Sequence, residues 1–179
     1  MSTAPQPVEV TTPGDRDIVL VRSFAAPREL VWEALTTPEL LGRWYGARGW
    51  HLVVCEVDLR VGGTYRFVSE DGAGQQLGQS GTFLEVVAPT RLVATEVFDA
   101  QSYPGESVVS RGLVDAGGRT TVTTTVRLPS PAARDRVLRY PMAEGFGQAC
   151  ERLDGLLAEI APDPSGARRV TGTRPGGAR

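Results

Sequence analysis

The residues best suited to proton transfer lie in one short stretch of the chain. His51 is the only histidine, and Glu56, Asp58 and Arg60 follow it closely, with Tyr65 next. Side chains of these types could move protons to and from a bound substrate. A lone histidine gives no basis for a catalytic triad or a metal site, because each needs several partners at fixed positions. The simpler interpretation is a strand residue followed by solvated charges at a strand end, so no catalytic residue is assigned and no metal is expected.

The two cysteines offer little further chemistry. Cys55 and Cys150 are far apart and form no CxxC or metal-ligand spacing. A disulfide framework is therefore not expected. We expect both cysteines to be buried free thiols in a reducing compartment. Cys150 has no neighbouring base in the sequence that would make it a nucleophile, so it is interpreted as a small core residue. No nucleotide-binding motif is present, and no cofactor is expected.

Composition narrows the classes of partner. The chain has 179 residues, of which 41% are hydrophobic and 22% charged, with a net charge of −2. That balance is typical of a globular domain and gives no electrostatic reason to bind nucleic acid or an anionic membrane. No leader sequence and no membrane-spanning run is recognised, which favours a cytoplasmic location. Every basic residue is arginine, so an arginine with a role in binding would not stand out.

The pattern along the chain predicts one folded domain between two tails. Residues 1–15 and 162–179 are rich in Gly, Pro, Thr or Arg and predict disorder, which leaves 16–161 as the domain. Short runs rich in β-branched residues, separated by turn signals, predict seven strands, of which the last six are consecutive and joined by hairpin-like links. The predicted strands are Ile18–Phe24, Trp50–Leu59, Gly63–Ser69, Gln76–Val87, Arg91–Asp99, Glu106–Asp115 and Thr120–Leu128.

Helical spacing appears at the two ends of this β region. Two short helices are predicted from Pro27 to Thr36 and from Pro38 to about Tyr45, and a short helical segment begins at Ser130-Pro131. A longer helix is predicted from Met142 to about Ala161, with an apolar stripe that must be buried. The sheet is the only large partner for that stripe. The sequence therefore predicts an α+β fold in which a curved antiparallel sheet of about seven strands surrounds a long C-terminal helix.

Four runs of sequence resemble a known superfamily. They are RSFAAPRELVWEALTTPELLGRWYG, EVDLRVGGTYRF, GTFLEVVAPTRLVATEVF and MAEGFGQACERLDGLLAEI. In order and spacing they are similar to the START-like SRPBCC superfamily, and more narrowly to its branch named after the Aha-type co-chaperone that activates a heat-shock ATPase. The resemblance runs from Asp17 to Ala161 and implies the helix-grip fold. One departure is Gly145-Phe146, where the family commonly has Gly-Trp, which predicts a roomier cavity floor.

The predicted architecture leaves room for a ligand. A strongly curved sheet cannot lie flat on one helix, and the space left over is usually a pocket lined by apolar groups. The residues expected to line it are Trp44, Tyr65, Phe67, Phe83, Phe98, Met142, Phe146 and Cys150. The inward face of the strand at Phe83 stays ambiguous, because Phe83 competes for it with Leu84 and Val86.

The leading hypothesis is that the protein binds or sequesters a small hydrophobic molecule and acts in bacterial secondary metabolism. Whether it also binds a protein partner or forms a homodimer is left open. The resemblance implies three alternatives. A polyketide aromatase or cyclase would use Arg60, Glu56, Tyr65 or His51 to move protons. A self-sacrificing resistance protein for an enediyne-type antibiotic would be cleaved at a cavity glycine, with Gly112, Gly145 and Gly147 as candidates. An Aha-type co-chaperone module would bind a heat-shock ATPase.

Overall fold

The computed structural model describes residues 7–161 and shows one antiparallel sheet with four helices. The eight strands are β1 (Glu9–Thr11), β2 (Asp17–Phe24), β3 (Trp50–Val57), β4 (Thr64–Asp71), β5 (Gln76–Val87), β6 (Arg91–Phe98), β7 (Ser107–Asp115) and β8 (Thr120–Arg127). The helices are α1 (Arg28–Thr36), α2 (Pro38–Trp44), α3 (Pro131–Val137) and α4 (Met142–Ile160). The strand order is β1-β2-β8-β7-β6-β5-β4-β3.

The α+β helix-grip prediction is confirmed, with one strand more than expected. β1 lies within the segment 1–15 that the sequence analysis assigned to a tail, and Glu9 to Thr11 pair with Val21 to Val19 of β2. All three β1 side chains are exposed. The pairing is therefore made by backbone hydrogen bonds alone and leaves no hydrophobic pattern to detect. The predicted tail 162–179 lies outside the described residues.

The helix starts follow from local chemistry. Ser130 caps α3, because its side-chain oxygen accepts a hydrogen bond from the Ala133 N–H at 3.1 Å. Pro38 occupies the first turn of α2, where its missing N–H is not needed. Pro27 was predicted at the same position in α1, but it lies one residue earlier with an extended ψ of 149°. Of these helices, α1 and α2 pack against each other, and α2 also packs against β3.

Two bulges help to bend the sheet around α4. The pairing of β3 with β4 shifts between Leu52 and Val54, and that of β5 with β6 shifts between Phe83 and Glu85. A bulge adds one residue to one strand and bends that strand. The second bulge also resolves the ambiguity at Phe83. Phe83 is buried and Leu84 is exposed, yet Val86 packs against the core, because the extra residue changes the alternation.

The main core lies between the concave face of the sheet and the stripe of α4. Ala149, Cys150, Leu153, Leu156 and Leu157 are its buried α4 residues. Sheet residues such as Phe24, Leu113 and Val122 belong to the same cluster. The helix therefore crosses the sheet with an apolar face inward, as its spacing predicts. None of the helices among residues 7–161 combines the length and the apolar character needed to cross a bilayer.

Candidate functional site

A cavity of about 350 Å³ lies between α4 and the concave face of the sheet. Its wall is mostly apolar, with a few polar side chains. The sheet contributes Arg22, Phe24, Trp50, Ser69, Leu77, Gln79, Phe98, Arg111, Val122 and Thr124. The helices α1, α2 and α4 and the segment 45–47 contribute Leu35, Trp44, Tyr45, Gly46, Ala47, Met142, Gly145, Phe146, Ala149, Cys150 and Leu153.

The cavity remains open because the residues on one side of it are small. α4 presents Gly145 and Ala149 to it, and the facing segment presents Gly46 and Ala47. A Cβ placed on Gly145 would lie 3.8 Å from the Ala47 Cβ, so the two backbones approach closely at this point. Larger side chains at these positions would extend into the space.

Arg152 fixes the position of the segment between α2 and β3. Its Nη1 lies within hydrogen-bond distance of the carbonyl oxygens of Tyr45, Gly46 and Trp50, at 3.2, 3.0 and 2.9 Å. A guanidinium on α4 thus binds carbonyl groups of the irregular segment and of Trp50, the first residue of β3. Several charge-assisted hydrogen bonds to one short segment hold it firmly against the helix. This wall of the cavity is therefore rigidly placed.

A second and much smaller pocket, of about 40 Å³, adjoins the first. The rings of Tyr45, Phe67, Tyr65 and Phe83 follow one another through it, with centroid separations of 5.1, 5.0 and 5.6 Å. The Tyr65 hydroxyl donates to the Thr95 carbonyl at 3.0 Å. Ring contacts at these distances and tilts are favourable, so the aromatic side chains fill most of this space.

The eight residues expected to line a cavity divide between the two. Trp44, Phe98, Met142, Phe146 and Cys150 line the larger cavity. Tyr65, Phe67 and Phe83 line the smaller pocket together with Trp44. Their role in ligand binding stays a prediction.

Sequence reasoning missed the polar groups on the concave face. Arg22 is 3% exposed, forms an ion pair with Asp154 of α4 and places its guanidinium 5.4 Å from the Phe24 ring centroid. Glu96 and Arg111 line the smaller pocket, and Arg111 also lines the larger cavity. The signal was present in the strand alternation. Each of these three charged residues has apolar residues two positions before and after it in its strand, so it belongs to the inward face. The two arginines did not stand out, because every basic residue of the chain is arginine.

Burial sets the protonation of several cavity groups. It raises the pKa of the Glu96 carboxyl, against the opposing effect of the Arg111 charge. Burial also raises the pKa of the Tyr45 and Tyr65 hydroxyls, which therefore stay protonated. The pKa of the Cys150 thiol rises to about 12 for the same reason. The cavity thus holds a neutral thiol, and its tyrosines serve as hydrogen-bonding groups.

The structure does not bring the predicted proton-transfer residues to the cavity. His51, Glu56, Asp58 and Arg60 are all exposed, and Arg60 pairs with Asp58 at 2.8 Å. Only Tyr65 of the proposed set faces the interior. The described part of the chain contains no cluster of three or more His, Cys, Asp or Glu side chains that could hold a metal ion.

The three candidate glycines also occupy different environments. Gly145 lines the larger cavity. Gly112 lies on β7 between Arg111 and Leu113, which face inward, so it belongs to the outward face of the strand. A Cβ on Gly147 would meet Val8 at 3.9 Å, and Gly147 is not part of the cavity wall.

The curved open sheet, the long α4 helix and the internal cavity define a helix-grip protein. A family profile described as "Activator of Hsp90 ATPase homolog 1-like protein" matches residues 25–158. The chain belongs to this family, which confirms the resemblance noted in the sequence. No curated protein matches the chain.

Solved structures of proteins from several bacteria share the fold. A protein from Rhodobacter sphaeroides is 32% identical, with a TM-score of 0.81 over 87% of this chain and 100% of its own. A protein from Nitrosomonas europaea is 31% identical, with a TM-score of 0.74 over 83% of this chain and 97% of its own. CalU16 from Micromonospora echinospora is 22% identical, with a TM-score of 0.59 over 86% of this chain and 87% of its own, a likeness in fold.

Proposed function

We propose that this protein binds and retains a small, mainly apolar organic molecule in the cavity between α4 and the sheet. The observation that carries the proposal is the cavity itself, about 350 Å³ with a mostly apolar wall. This volume falls within the roughly 300–1,000 Å³ of ordinary small-molecule sites.

The wall supplies a driving force for such a ligand. Apolar surface removed from water contributes about 25 cal/mol per Å², or about 0.8 kcal/mol for each buried CH₂. Phe24, Phe98 and Phe146 present aromatic surface, and Met142 adds an adaptable side chain. A ligand of about ten carbons would gain about 8 kcal/mol from burial, which is comparable with the roughly 4–15 kcal/mol that association costs. Binding can therefore rest on shape and apolar contact.

The location of the polar residues supports binding rather than turnover. The acid–base candidates His51, Glu56 and Arg60 are exposed and do not line the cavity. The thiol in the cavity, Cys150, has a pKa raised to about 12 and is a poor nucleophile at neutral pH.

The direct test is a titration with N-phenyl-1-naphthylamine, a neutral probe whose fluorescence rises in apolar surroundings. We expect saturable binding of one probe per chain. The variant Ala149→Leu extends a side chain from α4 into the cavity and should weaken binding at least tenfold. Ala158→Leu places the same change on the exposed face of the same helix and serves as the control. Equal binding by wild type and Ala149→Leu, or no binding at all, would refute the proposal.

One observation favours a second function for the same cavity, that of a sacrificial glycine. Gly145 lines the wall with its backbone. A diradical formed from a bound enediyne could take the Gly145 Cα hydrogen, forming a C–H bond on the ligand and leaving a Cα radical that dioxygen traps before the backbone breaks. Mass spectrometry after incubation with a thiol-activated enediyne should then show a cut at Gly145 and none at Gly147 or Gly112. An intact chain, or cuts spread along it, would exclude this function.

A further inference from the structure

The two arginines on the cavity wall differ in their partners. Arg22 is neutralised by Asp154, which reaches it from α4. Among residues 7–161, Arg111 belongs to none of the ion pairs with N···O distances up to 4.0 Å. It is half-buried and lines both the large cavity and the small pocket. A guanidinium in this position carries a full charge into a mostly apolar space.

The neighbouring polar groups leave that charge available. Glu96 shares the wall of the small pocket, and the Gln79 amide Nε2 donates to its Oε2 at 3.4 Å. Burial favours the neutral form of Glu96. Glu96 is thus occupied by Gln79 and lies too far from Arg111 to form a direct ion pair.

We infer that Arg111 receives an acidic oxygen of the ligand, so that the cavity selects an amphipathic organic acid over a neutral molecule of the same shape. This inference rests on the proposed function, because it assigns the ligand class of that cavity. A charge in a low-dielectric space is costly unless it is paired. A carboxylate carried by an apolar body would satisfy Arg111 with charge-assisted hydrogen bonds while the body fills the apolar part of the cavity.

The test uses two probes that differ in one group. 8-Anilinonaphthalene-1-sulfonate has the carbon skeleton of N-phenyl-1-naphthylamine with an added sulfonate. We expect Arg111→Gln to weaken the anionic probe by at least about tenfold and to leave the neutral probe unchanged, since a hydrogen bond to a charged group contributes about 1.5–3 kcal/mol and about 1.4 kcal/mol is a tenfold change in affinity. Arg111→Lys keeps the charge and should restore most of the difference. Arg139→Gln removes an exposed arginine and should change neither affinity.

A second pair of ligands replaces the sulfonate by a carboxylate. Decanoate should displace the neutral probe less well from Arg111→Gln than from wild type, and 1-decanol should displace it equally well from both. Glu96→Gln supplies a variant that leaves Arg111 in place. It should bind the anionic probe at least as tightly as wild type does, because it removes the one acidic side chain that shares the wall of the small pocket with Arg111.

The outcomes separate this inference from the proposed function. If both probes bind in the cavity and Arg111→Gln changes them equally, the cavity binds ligands but Arg111 does not select an acid. The same conclusion follows if Glu96→Gln weakens the anionic probe. If neither probe binds, or Ala149→Leu blocks neither, the proposed function itself fails.

Discussion

The two cavities adjoin each other under the same sheet, and one is filled while the other is not. Both include Leu35, Trp44, Tyr45, Gln79 and Arg111 in their walls. The smaller has a volume of about 40 Å³ and the larger about 350 Å³. The difference shows that curvature of the sheet creates the space, whereas the size of the facing side chains decides how much of it stays open.

Side-chain size explains the filled pocket directly. Tyr65 pairs with Gly81 of β5, and a Cβ there would lie 2.6 Å from the Tyr65 ring and 1.8 Å from the Thr95 carbonyl oxygen. The glycine thus lets the ring lie flat across the neighbouring strand, where it contacts Phe67 and Phe83. In the larger cavity α4 presents the small residues Gly145 and Ala149, and the rings that share the wall, such as Phe24 and Phe98, leave about 350 Å³ unfilled.

The largest effect should come from removing an aromatic ring from the filled pocket. Phe83→Ala takes away a ring that is 6% exposed and should cost about 3–5 kcal/mol of unfolding free energy. Phe98→Ala removes a half-buried ring beside existing empty space and should cost about 1–2 kcal/mol. Urea denaturation of both variants measures the difference. Equal losses would show that the two regions are packed alike.

Substitutions that add atoms test the same difference in packing between the two cavities. Ala94→Leu adds a larger side chain to the filled pocket, where overpacking should cost about 1–3 kcal/mol. Ala149→Leu makes the same change in the open cavity and should leave the unfolding free energy within about 0.5 kcal/mol of wild type. A large loss for Ala149→Leu would mean that the larger cavity cannot accept added atoms.

The smallest expected effect concerns Glu96, at the boundary of the two regions. Its pKa is raised in the folded state, so the unfolded chain releases the proton first as the pH climbs above the ordinary value of 4.5. The folded state then binds more protons than the unfolded state, and stability falls as pH rises until the folded pKa is reached. Glu96→Gln lacks this cost.

The stability of Glu96→Gln relative to wild type should therefore increase from about pH 4 to about pH 8. Denaturation midpoints for both proteins across this range measure the change. A difference that is constant with pH, or that shrinks as the pH rises, would contradict a raised pKa for Glu96.

The sequence predicted the elements well where one periodicity was strong. The apolar stripe of α4 and the alternation of β8 predicted the bounds of both elements to within about one residue, and Ser130 marked the start of α3. β1 could not be predicted, because Glu9 to Thr11 bury no side chain. The inward side of β5 was ambiguous since its bulge at Leu84 places both Phe83 and Val86 on the core side, which a regular alternation forbids.

The site was harder to predict than the fold. Aromatic residues were expected in the interior, but their division between two pockets depends on which rings meet across the sheet, and this is a property of register. Arg22, Glu96 and Arg111 lie on three different strands. Arg111 shares the wall of the larger cavity with Arg22 and that of the smaller pocket with Glu96, through a strand order that no local pattern encodes. The proton-transfer set near His51 was grouped by proximity in sequence, and the strand ends place it at the surface.

Ligand binding in the larger cavity is tested most directly by an amide chemical-shift map of the isotope-labelled protein with N-phenyl-1-naphthylamine. We expect the perturbed amides to cluster on α4 from Met142 to Leu153, on the segment 44–47 and around Phe98, which together surround the larger cavity. Shifts confined to exposed residues such as Leu84, Val114 and Tyr140, or no shifts at saturating probe, would show that the cavity does not bind ligands.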